Sequence, residues 1–375
     1  MDKLQHLVEL DQIKQIINSF NSKSLKESLL IAHHKKLKNP NLNNIPQFHN
    51  IIGLINLRLN DFKNSILNFQ TAIKLNPNFY TAYYNLALVH FNDENLEKSY
   101  NYLIKALSLR KDYKLARDKI IELLSFYKPQ DISNNTLVVL DKKLKEVPYN
   151  IDFSKNISDK KIINYYNNCK KIVLRNLSDL SYNKVQIFRN KSVFLNCERH
   201  KAIFSKYKSI PKYCFECFKV VIESENLFDL LKVSLIFDQI TFFKNFNRKN
   251  MIDKRSNKDV FKSIIYCTSL EEVIQAEKTT KDLLSVYFDN KFVIESKRGC
   301  HEYALEYPDY KKIYKKKSEL MSFPKKWLSN EKEFDLENTQ NGVEKKKVVH
   351  DTKKGNSLHN FLVINNWFQD QKIFY

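Results

Sequence analysis

Residues 46–79 read PQFHNIIGLINLRLNDFKNSILNFQTAIKLNPNF, and residues 80–113 read YTAYYNLALVHFNDENLEKSYNYLIKALSLRKDY. The two align without a gap, and this 34-residue period decides the fold of the front of the chain. In the first half of each unit a small residue, Gly53 and then Ala87, follows an apolar one, Ile52 and then Leu86. In the second half Ser65 and Ala72 recur as Ser99 and Ala106, with Phe69 and then Leu103 as the large residue between them. The spacing of i, i+4 and i+7 puts these positions on one stripe of a helix. Each unit is therefore two helices meeting across small residues, and Asn76-Pro77 ends the first because proline cannot continue a helix.

The pattern resembles the tetratricopeptide repeat family over residues 46–113. It departs from the family at His49 and Asn56, where bulky aromatics are common, and at Lys111, where proline is expected. The resemblance implies a helical solenoid whose first helices line a concave groove for a protein or peptide partner. Here those groove residues would be Asn50, Leu54, Arg58, Tyr84, Asn85, Leu88 and Asn92. Asn85 could hold a guest backbone, because an amide offers both a donor and an acceptor. Two repeats cannot bury a continuous core alone. A degenerate helical pair at Leu4–Phe20 and Leu25–Lys38, and a cap at Lys114–Tyr127 stopped by Pro129, would close residues 1–130 as one solenoid.

Composition limits what else the chain could be. Its 375 residues suffice for two or three cores, and 43% apolar content excludes wholesale disorder. Only 4 glycines occur, and none falls in a phosphate-cradling or dinucleotide-binding pattern, so nucleotide chemistry on such a loop is not expected. The net charge of +21 invites a nucleic-acid reading, but lysine dominates it and is spread along the chain as a solvated surface would be. There is no apolar signal core behind Met1-Asp2-Lys3 and no stretch long enough to span a membrane, so the expectation is a soluble cytoplasmic protein. Six cysteines then read as free thiols or metal ligands.

The second half gives an α+β pattern. Residues 131–190 read as a helical and linker segment, with helices at Leu137–Leu144 and Asp159–Leu177, linker at Pro148–Ser158 and a short strand at Val185–Phe188. Within 191–310 the β-branched runs Phe218–Glu223, Arg248–Asp253, Phe261–Cys267 and Phe292–Glu295 predict strands. Helices at Leu227–Ile240 and from the capping box Ser269-Leu270-Glu271-Glu272 to Tyr287 separate them. The order βαββαβ is that of the ferredoxin-like arrangement, a small sheet with helices on one face. RNA-recognition domains share it, which makes an RNA-associated protein the alternative, yet Phe261 and Tyr266 point to opposite faces of their strand.

One constellation carries chemistry. Cys197-Glu-Arg-His200 is followed after thirteen residues by Cys214-Phe-Glu-Cys217, in a stretch, 191–217, that reads as loop. Two such pairs, each on a tight turn, supply the four ligands of a closed tetrahedral Zn²⁺ site, structural rather than catalytic, like a zinc knuckle leading into the sheet. A redox pair and plain buried thiols are the competing readings, and Cys300-His301 is a spare ligand pair. No hydrolase or transferase motif occurs, so the expectation is a non-enzymatic adaptor, with an enzyme acting on a protein delivered by the repeats as a further alternative. The lysine runs of 311–357 read as a basic linker, and 358–375 as an amphipathic helical segment that docks on the second domain or on a partner.

Overall fold

The computed structural model describes residues 3–22, 25–130, 135–148, 157–190, 197–254, 258–288, 291–311, 313, 320–338 and 356–373. By internal contacts the chain divides into unit 1, Met1–Leu123 with Asp335–Glu344, and unit 2, Leu124–Phe334 with Lys345–Tyr375.

Unit 1 is helical: α1 Lys3–Ser22, α2 Leu25–Lys38, α3 Pro46–Arg58, α4 Phe62–Leu75, α5 Tyr80–Asn92, α6 Leu96–Leu109 and α7 Lys114–Leu124. The period in the sequence returns in the hydrogen bonds. Ser65 Oγ donates to the Gly53 carbonyl at 2.8 Å, and Ser99 Oγ to that of Ala87 at 2.9 Å. Asp61 caps α4 by accepting from the Asn64 amide, and Asn95 caps α6 by accepting from that of Lys98, both at 3.1 Å. The residue before each cap, Asn60 and Glu94, is left-handed with φ of 60° and 61°. Phe69 and Leu103 are both fully buried. The repeats are thus equal in backbone as well as in pattern. His49, a departure from the family pattern, is buried yet served: its Nε2 lies 2.9 Å from the Asn43 carbonyl and its Nδ1 3.3 Å from Asn68 Oδ1.

Unit 2 opens with α8 Thr136–Glu146, α9 Asp159–Leu174 and β1 Gln186–Arg189. Then come α10 Cys197–Tyr207, α11 Lys212–Phe215, β2 Phe218–Ser224, α12 Leu227–Gln239, β3 Asn247–Asp253 and β4 Val260–Cys267. It continues through α13 Leu270–Tyr287, β5 Val293–Arg298, α14 His301–Glu306, α15 Pro308–Lys311, α16 Lys325–Asn338, whose last residues fall in unit 1, and α17 Leu358–Asp370. The sheet runs β1-β3-β4-β2-β5, and every pairing is antiparallel. Residues of β2 alternate only weakly between buried and half-buried, because helices cover the sheet: α12 and α13 both pack on β2 and β4. Ser269 caps α13 by accepting from the Glu272 amide. Buried Asp238 on α12 takes Arg189 of β1 at 3.0 Å and Arg248 of β3 at 2.8 Å. Burial alone would raise its carboxyl, but the two guanidiniums hold it below the usual range.

Three expectations need correction. Residues 191–217 are not loop: where described, they form α10 and α11, with Ile203 and Ile210 fully buried. Residues 311–357 are not all linker: α16 is a helix because Trp327, behind exposed Lys325-Lys326, docks in an apolar cluster with Phe215, Tyr303 and Tyr310. Residues 339–355 and most of Pro148–Ser158 lie outside the described residues. Finally, α17 is not amphipathic in use, since residues 358–365 are all buried where it packs on α8 and β1. Its polar groups are met inside the unit: His359 Nδ1 lies 2.8 Å from Tyr182 Oη, Trp367 Nε1 donates to the Val185 carbonyl, and the Leu358 amide donates to Asp141 Oδ1 at 2.9 Å.

Candidate functional site

The first candidate is an apolar cleft of about 490 Å³ in unit 1. It lies between α1 and α3, with Leu10, Ile13, Lys14, Ile17, Phe20 and Asn21 on one wall and Gln47, Asn50, Ile51 and Leu54 on the other. Phe79, just before α5, completes it. The wall from α1 follows from sequence: Leu10, Ile13, Ile17 and Phe20 recur at helical spacing, and only part of that stripe is needed to pack against α2 and α3. Ile13 and Ile16 are buried, while Ile17 stays 39% exposed and presents its apolar side chain to the cleft.

Of the residues expected in the groove, Asn50 and Leu54 line this cleft. The other five do not. Asn85 is buried and donates from its Nδ2 to Asn50 Oδ1, a residue of the cleft, at 2.9 Å. Arg58 is exposed and lays its guanidinium over the Phe20 ring, 4.3 Å from the centroid. Leu88 packs into the core around Phe69 and Leu86. Tyr84 meets Tyr113 edge-on at 5.4 Å, and burial pushes the Tyr113 phenol up to about 12. Asn92 is exposed on the last turn of α5. The α1 residues were missed because a degenerate first repeat has no period to mark it, although their apolar stripe was legible.

The second candidate is a gathering of thiols at one end of the sheet. Cys214 lies in the single turn of α11, and Cys217 on the link from α11 into β2. The register pairs Phe218 with Arg298 on one side and with Cys267 on the other, so Cys267 and Cys300 lie beside this turn. The turn is held by its carbonyls: Gly299 N–H donates to Cys217 O at 2.7 Å, Arg298 Nε to Phe215 O at 2.9 Å and Tyr310 Oη to Cys214 O at 2.6 Å. Gly299 is required there. Its φ is +53°, and a Cβ would stand 1.9 Å from Tyr310 Oη.

Electrostatics group the same thiols. Burial pushes Cys214 up to about 12, and the charges of Cys300, Cys217 and Cys197 add to it. Burial likewise lifts Cys300, which Lys219 and Lys201 pull down and Cys197 pushes up. Tyr213, pushed up to about 12 by burial, also responds to Cys217, Cys214 and Cys197. Cys197 is exposed at the start of α10; His200, one turn on, is buried with its ring stacked on Tyr213 at 5.6 Å. The pair expected on a tight turn therefore stands on a helix. Among the described residues no three His, Cys, Asp or Glu groups converge closely enough, as placed, to hold a metal ion. Cys169 is buried elsewhere in unit 2, where Asn356 Nδ2 approaches its sulfur at 3.7 Å.

Two family models match the chain. One described as TPR repeat covers residues 53–93, and one described as tetratricopeptide repeat covers residues 80–113. No curated protein matches. Solved structures with partial likeness include the first TPR of Spaghetti (RPAP3) bound to an HSP90 peptide, 16% identical, with a TM-score of 0.28 over 31% of this chain and 89% of that one. A mutant O-GlcNAc transferase of Thermobaculum terrenum is 17% identical, with a TM-score of 0.32 over 42% of this chain and 30% of that one. MamA is 15% identical, with a TM-score of 0.29 over 46% and 81%. No helix among the described residues is long and apolar enough to cross a membrane.

Proposed function

Since residues 53–113 are tetratricopeptide repeats, we propose that the protein is an adaptor that holds a segment of another polypeptide in the cleft between α1 and α3. The observation that carries this reading is the apolar lining of that cleft. Apolar surface left open to water at the concave side of a repeat array is costly unless a partner covers it. Here Ile17 of α1 and Leu54 of α3 both line the cleft, and Lys14 and Asn50 are among its few polar residues. The guest is expected to be a short segment with apolar side chains, since the walls offer few polar groups. Asn85, committed to Asn50, fixes the wall without contacting the guest.

The sheet of unit 2 is the second part of the adaptor. The order β3-β4-β2-β5, with neighbours antiparallel and a helix following β2 and β4, supports the ferredoxin-like reading, with β1 as an added edge strand. Its aromatic residues give the RNA alternative little support: Phe261 is buried and Tyr266 half-buried.

A photo-crosslinking amino acid placed in the full-length chain tests the cleft. In place of Leu54 it should give a discrete polypeptide adduct, and in place of Leu67, which is exposed on α4 away from the cleft, it should not. Adding Ile17→Lys should remove the Leu54 adduct. Equal labelling at the two positions, or an adduct indifferent to Ile17→Lys, would sink the proposal.

A further inference from the structure

We propose that Cys197, Cys214, Cys217 and Cys300 bind one Zn²⁺ ion as an all-sulfur tetrahedral site, with Cys300 in the place that sequence spacing assigns to His200. Four features carry it. Cys214 and Cys217 lie on one turn whose three carbonyls are pinned by Gly299, Arg298 and Tyr310, and a turn so fixed presents two sulfurs at a constant separation. Cys300 directly follows the glycine that donates to Cys217, and it packs into the same apolar cluster as Cys214. Cys197 opens α10 one turn before His200, whose ring stacks on Tyr213, the residue next to Cys214. His200 instead points into a buried stack with Tyr213.

The fourth feature is charge. A zinc ion held by four thiolates keeps two negative charges in excess, which a protein must balance. Lys219 acts on Cys300 against Glu302, and Lys201 adds to Lys219. Arg298 is 5% exposed, lies over the rings of Phe215 and Tyr310, and has its buried Nη1 without an acceptor among the described residues. This buried guanidinium lies against the backbone of the cysteine turn, where it also feels the Glu216 carboxylate, and adds positive charge on that side. The thiols do not converge as they stand, and the site closes only as the metal draws them in. Each thiol gives up its proton to solvent as its sulfur binds, so the metal's charge and oxidation state do not change.

The test uses the full-length chain purified under reducing conditions with zinc supplied. Elemental analysis should give about one zinc per chain. Cys217→Ser and Cys300→Ser should each lower zinc affinity at least about tenfold, while His200→Ala should leave it unchanged. The cobalt-substituted wild-type chain should show an intense thiolate-to-cobalt charge-transfer band and the visible bands of a tetrahedral site, a readout that needs no variant to fold. Less than about a tenth of an equivalent of metal in folded protein would overturn the site. A charge-transfer band too weak for four thiolates, or zinc lost from His200→Ala and kept by Cys300→Ser, would overturn the ligand set.

Discussion

Unit 1 and unit 2 each press an aromatic ring against a glycine, and the two glycines serve different ends. Gly53 lies inside helix α3, where an added Cβ would stand 2.6 Å from the Phe69 ring. The need there is only volume, and the second repeat meets it another way, with Ala87 and Leu103, both fully buried, at the equivalent positions. What one side of the contact gains the other gives up. Gly299 is needed for its backbone as well, because its φ is +53° and Tyr310 fills the space where a side chain would go. Unit 1 is assembled from neighbours in sequence, each helix pair closing within one repeat. Unit 2 joins distant segments: Tyr310 to Cys214, Arg199 to Glu331 and α17 to Tyr182 and Val185. Contacts that repeat can be exchanged for one another, whereas contacts made once cannot.

The largest test of this contrast is Trp367→Ala. Trp367 is 2% exposed, and its loss should cost unit 2 roughly 3–5 kcal/mol. Calorimetry of the full chain should show the unit 2 transition falling while the unit 1 transition holds; movement of both together would mean the units unfold as one. Next comes Gly299→Ala, with roughly 2–4 kcal/mol expected from the left-handed backbone and the clash with Tyr310. Removing the ring contact by Tyr310→Leu should leave most of that loss in place.

Gly53→Ala should cost roughly 1–3 kcal/mol, and here a second change should help. Phe69→Leu added to it recreates the pair found at Ala87 and Leu103, so the double variant should be more stable than Gly53→Ala alone. Additive losses in denaturant titration would show that the repeats are not interchangeable. The smallest effect concerns acid. His90 is buried, stacked on Tyr102 at 5.4 Å, and burial together with Lys98 holds its pKa below the usual value. The unfolded chain therefore takes up this proton first: the stability from neutral His90 is complete above the ordinary histidine pKa and is lost as pH falls toward the depressed one. The melting temperature of unit 1 should drop through that window, and His90→Phe should flatten the drop.

How much was legible in the sequence follows the same division. Phe69, Ser65 and their counterparts could be read because a period states each position twice. The strands β2 and β4 could be read from their β-branched runs. Helix α10 could not: in CERHKAIFSKY, Ile203 is the one fully buried apolar side chain, too little to set a stripe. In α16 the pair Lys325-Lys326 concealed Trp327, one of whose ring partners, Phe215, lies over a hundred residues back. Asn360, Asn365 and His359 look like the wet face of α17, yet all are buried, because partners distant in sequence cover them. Of the thiols proposed to bind metal, spacing singled out Cys197, Cys214 and Cys217 and left Cys300 as a spare, which the pairing of β2 with β5 brings beside Cys217.

The burial of α17 also bears on synthesis. The repeats can close as they leave the ribosome, since each needs only what has already emerged. The faces of α8 and β1 that α17 covers must stay bare until residue 370 is out, nearly two hundred residues after β1. During that interval Asp141 of α8 and the Gln186 carbonyl of β1 lack the partners that Leu358 and His359 later bring. A nascent chain stalled before residue 358 is therefore expected to engage holding chaperones through this region, and to release them once α17 has been made.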